Sequence, residues 1–177
     1  MYVKIVLSLR QELEMNILFV CTGNTCRSPM AEALFNNKHT EHSAQSAGIL
    51  ASEGAPINES AYHVLKEKGI TFNHHSQSVS EPLLEQSDLI FVMTNEHLHL
   101  LKEKYPHHQE KVHILKEFTA NDPHLNHAFL TELNISDPFG QDLATYRATL
   151  SELETHINQL IKKLDTGDSG YGEKTSL

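Results

Sequence analysis

Only two cysteines occur in the chain, Cys21 and Cys26, five residues apart. So close a pair builds no disulfide framework, and such sparing use suits a reducing compartment. Positive charge is scarce too: 14 lysines and arginines against 23 aspartates and glutamates leave a net charge of −9 with histidine neutral. That balance argues against sequence-independent binding to nucleic acid or to an anionic membrane. It still permits one focused anion site, because a bound anion responds to local donors more than to distant, screened charges. No apolar run approaches the roughly 20 residues of a membrane span. The stretch Ile5-Val6-Leu7-Ser8-Leu9 is shorter than the core of a secretory signal and lacks its cleavage pattern. Internal repeats are absent, as is the G-x4-G-K-S/T pattern of a nucleotide-binding loop. A cytoplasmic monomer is expected, its 177 residues enough for one domain with a sizeable core.

Periodicity divides the chain. Residues 15–164 read as the working domain, 1–14 as an N-terminal extension, and 165–177, rich in Gly, Ser, Thr and charge, as a disordered tail. Met15 is a candidate natural start. Alternation of Val3, Ile5, Leu7 and Leu9 with polar residues suits an extra edge strand in the extension. Asn16-Ile17-Leu18-Phe19-Val20 is a strand-like run leading into the polar loop Cys21–Ser28. Pro29 then stands where a helix starts, with Met30, Ala33 and Leu34 as its apolar stripe. Further strands are expected over 45–48, 89–93 and 112–115, and helices over 58–68, 80–87, 95–105 and 142–164. The stretch 119–141 has no strong periodicity. This alternation predicts an α/β fold, a three-layer sandwich whose central four-stranded parallel sheet, in the order 2-1-3-4, is flanked by helices.

The chemistry concentrates in one loop. A bare C-x5-R pair is weak as a motif, but here Cys21 ends an apolar strand, Arg27 and Ser28 precede a helix, and Gly23 is expected to let the backbone curl between them. Successive amides across Thr22, Gly23, Asn24, Thr25, Cys26, Arg27 and Ser28 would then turn inward as an anion nest, reinforced by the helix N-terminus. The same field favours thiolate over thiol at Cys21. Arg27 offers a planar fork of donors to two phosphate oxygens. Ser28 is placed to hydrogen-bond the sulfur, and Asn24 to brace the loop. A merely buried cysteine and a surface arginine would leave this polar, glycine-bearing strand-to-helix junction unexplained.

The run Cys21-Thr22-Gly23-Asn24-Thr25-Cys26-Arg27-Ser28-Pro29-Met30-Ala31-Glu32 resembles the signature of the low-molecular-weight protein tyrosine phosphatase family. The likeness continues through Ser46-Ala47-Gly48, Ser87-Asp88-Leu89-Ile90 and Asp137-Pro138, and so covers about 15–164. It implies a cofactor-free, two-step mechanism on phosphorylated proteins. Cys21 attacks phosphorus while Asp137 protonates the leaving group; water activated by Asp137 then releases phosphate. Ser46 is implied as support for the loop. Asp122-Pro123 rivals Asp137 as the acid; Asp137 is preferred because it lies close before the last helix, as in the family.

Two departures bear on substrate. Tyrosine-specific members usually carry an aliphatic residue where this chain has Thr25, and two aromatics after Asp-Pro where it has Phe139-Gly140. Both features resemble the bacterial protein arginine phosphatase branch. The resemblance therefore implies hydrolysis of phosphoarginine in proteins. A low-molecular-weight tyrosine phosphatase is the alternative, and a non-catalytic phosphoprotein-binding module the alternative of another class. An arsenate reductase would need cysteines beyond Cys26 to relay its disulfide, and none follows. Cys26 is either an inert thiol or a redox partner, able to bridge Cys21 reversibly if the two Cα atoms lie within about 7 Å. The thirteen histidines show no i, i+4 pair with a carboxylate partner, so no metal is expected, and most are assigned to solvated surface.

Overall fold

The computed structural model describes residues 14–38, 40–120 and 133–166. Strand β1 (Asn16–Cys21) runs through the middle of a four-stranded sheet, with β2 (Ser43–Gly48) on one side and β3 (Leu89–Val92) on the other. Strand β4 (Val112–Ile114) lies outside β3, so the order is β2-β1-β3-β4 and every pairing is parallel. The expected order is the observed one. Side chains alternate across a strand, and here both faces are apolar. Ile17, Phe19 and Cys21 pack under helices α1 (Arg27–Asn36), α2 (Glu59–Glu67) and α6 (Leu143–Thr166). Leu18, Val20, Ile90 and Val92 face α3 (Glu81–Gln86) and α4 (Asn95–Lys104) through Leu83, Leu84 and Leu101. In α6 the buried residues Tyr146, Leu150, Leu153, Ile157, Leu160 and Leu164 recur three or four apart, the stripe that seats it on the sheet.

Three of the boundaries that differ from the sequence reading have a clear local reason. Helix α1 begins at Arg27, making Pro29 its third residue. The first four amides of a helix have no intrahelical partner, so a proline there sacrifices no bond. Strand β2 begins at Ser43, before the expected Gln45, because the Asn36 side chain bonds both backbone groups of Ala44, each at 2.9 Å. Leu115 opens a short helix α5 (Leu115–Thr119) instead of ending β4, which turns its side chain into the core beneath α6. The expected edge strand in the N-terminal extension, the rival acid Asp122 and the tail from 167 onward lie outside the described residues. Residues 165 and 166, assigned to the tail, continue α6. No described helix is long and apolar enough to cross a membrane.

The topology already marks a place for a ligand. From β1 the chain goes to one neighbour, β2, and later returns to the other, β3. The crevice beyond the carboxyl ends of such strands is where open α/β sheets bind. Cys21 ends β1, and Thr94 opens α4 just after β3.

Candidate active site

The loop from Cys21 to Arg27 is shaped by what holds its carbonyls. The Cys21 carbonyl accepts from the Ile49 amide at 3.0 Å and the Thr22 carbonyl from the Leu50 amide at 2.9 Å. The Asn24 carbonyl accepts from His74 Nε2 and Ser76 Oγ, both at 2.8 Å, and the Thr25 carbonyl from the Asn58 amide at 2.9 Å. All four point outward into the surrounding loops. No peptide here is cis, and in a trans peptide the N–H points opposite to the C=O. The amides of Thr22, Gly23, Thr25 and Cys26 are therefore turned to the concave side, where they form an anion nest.

The residue that turns the chain is Asn24, with φ of 55°, rather than Gly23 as the sequence reading supposed. Asparagine tolerates this left-handed conformation because its short side chain can bond locally. It does so here: Asn24 Nδ2 donates to Ser28 Oγ (2.9 Å) and to Ser46 Oγ (2.8 Å), and Oδ1 accepts from the Gln77 amide (2.9 Å). The expected loop supports, Asn24 and Ser46, thus form one buried network, which ends where Ser46 donates to Glu32 at 2.6 Å. Burial pushes the Glu32 carboxyl up to about 7 against the lowering effect of Ser46. Gly48 is needed for close approach: a Cβ there would sit 2.7 Å from the Thr22 carbonyl oxygen and 2.9 Å from the Asn24 nitrogen. Gly23 has room to spare, its nearest such contact being 3.7 Å away.

Within the nest the Cys21 sulfur lies 3.0 Å from Ser28 Oγ. Ser28 has one proton and two acceptors in reach, that sulfur and the Ala47 carbonyl at 3.3 Å, so it is placed to donate to a thiolate. Arg27 is buried, with Nη1 donating to the Ile135 carbonyl (3.3 Å) and Nη2 to Asp137 Oδ2 (2.5 Å). Its Nε is buried without a partner among the described residues, a donor left over for an anion. Asp137 is half-exposed opposite, on a segment tethered by the Ile135 amide to the Met93 carbonyl at the end of β3. Its other oxygen accepts from the Phe139 amide at 3.1 Å. Gly140 adopts φ of 75° in a turn closed by the Gln141 amide on the Pro138 carbonyl, which is the backbone reason for a glycine after Phe139. Cys21, Thr22, Gly23, Thr25, Cys26, Arg27, Asp137 and Phe139 line one pocket of about 200 Å³.

Other partners carried no local signal. The Tyr146 hydroxyl lies 3.3 Å from the Cys26 sulfur, and burial holds the Cys26 thiol above its ordinary range; both cysteines are free. Three histidines are buried, and so stand apart from those assigned to the surface: His74 under Asn24, His97 against Thr22 at 2.9 Å, and His108 against Glu81. Among the described residues no cluster of His, Cys, Asp and Glu suits a metal ion.

Such a fold and pocket define a cysteine-based phosphatase, in which a sulfur at the floor of an amide nest faces an arginine fork and a carboxylate. The chain belongs to the low molecular weight phosphotyrosine protein phosphatase family, whose model matches residues 16–169. It is 41% identical over 151 residues to a protein-arginine-phosphatase of Geobacillus stearothermophilus, covering 85% of this chain and 96% of that one. A protein-arginine-phosphatase of Bacillus subtilis is 38% identical over 154 residues, covering 85% and 97%. Among solved structures, the YwlE arginine phosphatase of Geobacillus stearothermophilus superimposes with a TM-score of 0.79 at 38% identity, over 91% of this chain and 99% of that one.

Proposed function

We propose that the chain hydrolyses phosphoarginine in proteins through a phosphocysteine intermediate. The Cys21 thiolate attacks phosphorus along the axis of the nest, and the P–N bond breaks as Asp137 gives its proton to the departing guanidine nitrogen. The amides of residues 22, 23, 25 and 26, with the Arg27 fork, take the charge spread over the equatorial oxygens. Water then attacks the phosphocysteine, Asp137 accepts its proton, and the P–S bond breaks to return the thiolate and free phosphate. Release of Asp137 from Arg27 is required first, since the incoming phosphoryl group takes over the guanidinium donors.

The observation that carries the substrate class is that Thr25 and the acid Asp137 line the same pocket, with Phe139 as the aromatic among the lining residues. Thr25 lines the pocket beside Cys26, and the turn at Gly140 leaves Phe139 as the aromatic at its rim. A planar, polar guanidinium suits a hydroxyl and a carboxylate, whereas a phenol ring gains more from two aromatic walls. The two arginine phosphatases among the relatives support the same substrate. The proposal includes a cytoplasmic monomer acting on phosphorylated proteins and binding neither nucleic acid nor membrane, in keeping with free thiols and a net charge of −9. The test is turnover of matched phosphoarginine and phosphotyrosine peptides by wild type and Thr25→Ile. We expect at least about tenfold higher kcat/KM on phosphoarginine, a preference that shrinks in the variant. Equal turnover of both peptides, unmoved by Thr25→Ile, would overturn the phosphoarginine assignment, and faster turnover of phosphotyrosine would make the chain a phosphotyrosine enzyme.

A further inference from the structure

Thr22, the residue after the nucleophile, is gripped on two sides. Its carbonyl accepts from the Leu50 amide, and its hydroxyl lies 2.9 Å from Nε2 of His97 in the first turn of α4. The second contact spans the crevice between the ends of β1 and β3. His97 is 6% exposed, and its Nδ1 is buried with no partner among the described residues. Burying an imidazole with one nitrogen unpaired works against folding, and the hydrogen bond to the Thr22 hydroxyl offsets part of that cost. The helix has no need of histidine there, because the Thr94 cap bonds the backbone amide of residue 97, which any residue but proline supplies. Burial and then the nearby Arg27 charge push His97 down to about 4, so the ring adds no second cation beside the fork. What does need holding is the peptide joining Thr22 to Gly23, since the glycine leaves that joint free to rotate.

We propose that His97 is a positioning residue for phosphoryl transfer, pinning the Thr22 side chain so that the Thr22 and Gly23 amides stay aimed at the phosphoryl group. The role rests on the phosphatase reading and acts only through Thr22. The experiment compares His97→Leu, Thr22→Val, the double variant and His97→Gln, with an aryl phosphate as substrate and orthovanadate as transition-state mimic. Rates are normalised to the phenol burst, so that unfolded protein drops out. We expect each single variant to lose about tenfold in kcat/KM and in orthovanadate affinity, one hydrogen bond's worth of aim. The double variant should be no worse than the weaker single, because the two side chains share one contact. His97→Gln, whose amide can reach the same hydroxyl, should recover most of the loss. Multiplied losses near a hundredfold in the double variant, or wild-type values in either single, would overturn the assignment. If His97→Leu fails to fold, Thr22→Val and His97→Gln decide it alone. Wild type that releases no phenol sinks the phosphatase reading, whereas active wild type with indifferent variants sinks only the role of His97.

Discussion

Asn24 allows the sharpest quantitative test, because it combines a backbone demand with a side-chain demand that two substitutions separate. It is fully buried, with φ of 55° and three side-chain hydrogen bonds to Ser28, Ser46 and the Gln77 amide. Asn24→Gly keeps the freedom to adopt positive φ and loses the three bonds. At about 1 kcal/mol net for each, the loss is about 3 kcal/mol. Asn24→Ala loses the same bonds and adds roughly 1 kcal/mol for an alanine forced into the left-handed region. The expected order is wild type, then Gly, then Ala. For a domain of this size a 3 kcal/mol loss lowers Tm by about 6 to 12 °C. Urea unfolding of the three proteins, with unchanged m-values, reads both gaps. Activity should fall in parallel, by tenfold or more in kcat/KM, since Ser28 then loses the donor that orients it toward Cys21. Asn24→Gly within about 0.5 kcal/mol of wild type would refute the hydrogen-bond account. Asn24→Ala more stable than Asn24→Gly would refute the conformational one.

Glu32→Gln tests the buried carboxyl at the end of the same network. Its folded value near 7 lies above the ordinary 4.5, so the native state binds the proton more tightly; that stabilisation is complete below pH 4.5 and lost as pH rises through 7. His74 lies 3.9 Å away but burial lowers its pKa, so at pH 7 it is neutral and supplies no counter-charge. Relative to Glu32→Gln, wild type should therefore lose about 3 kcal/mol between pH 4.5 and 8, read by urea unfolding at each pH; a constant difference would contradict a raised value. Gly48→Ala should fold yet lose at least about tenfold in kcat/KM, because two of the three close contacts of its new Cβ are backbone atoms of the nest. Gly23→Ala, whose new Cβ meets only an ordinary contact with Thr25 at 3.7 Å, should stay within about threefold of wild type, and the reverse ranking would show that the curl resides at Gly23 after all.

The parts legible in the sequence are those written in contiguous residues. Apolar runs and a proline in the first turn of a helix gave the order of strands and helices, and Cys21, Arg27 and Ser28 stand together within one turn of chain. Asp137 was reachable only through resemblance, because its meeting with Arg27 depends on the Ile135–Met93 tether and leaves no periodic trace. His97, His74, Gly48 and Tyr146 were illegible as site residues for the same reason. A histidine in a polar helix looks solvated until the fold lays it against Thr22, and a tyrosine on an apolar stripe looks like plain core until its hydroxyl meets Cys26. Asn24 reads as a brace, which it is, but its backbone role depends on donors about 50 residues away.

The outward-facing carbonyls have a consequence for how the domain is assembled. Their donors come from Ile49, Leu50, Asn58, His74 and Ser76, so strand β1, the loop and α1 excised together would lack the clamps that turn the amides inward. Competence to hold an oxyanion thus draws on donors as far along the chain as Ser76 and on the Thr22 contact with His97, and is acquired only after long loops have closed. Conversely, any oxyanion that occupies the nest draws on that whole stretch. Saturating phosphate at a hundred times its Kd should then slow amide exchange by about a hundredfold as far away as residues 48–58 and 74–77, wherever exchange requires the nest to open.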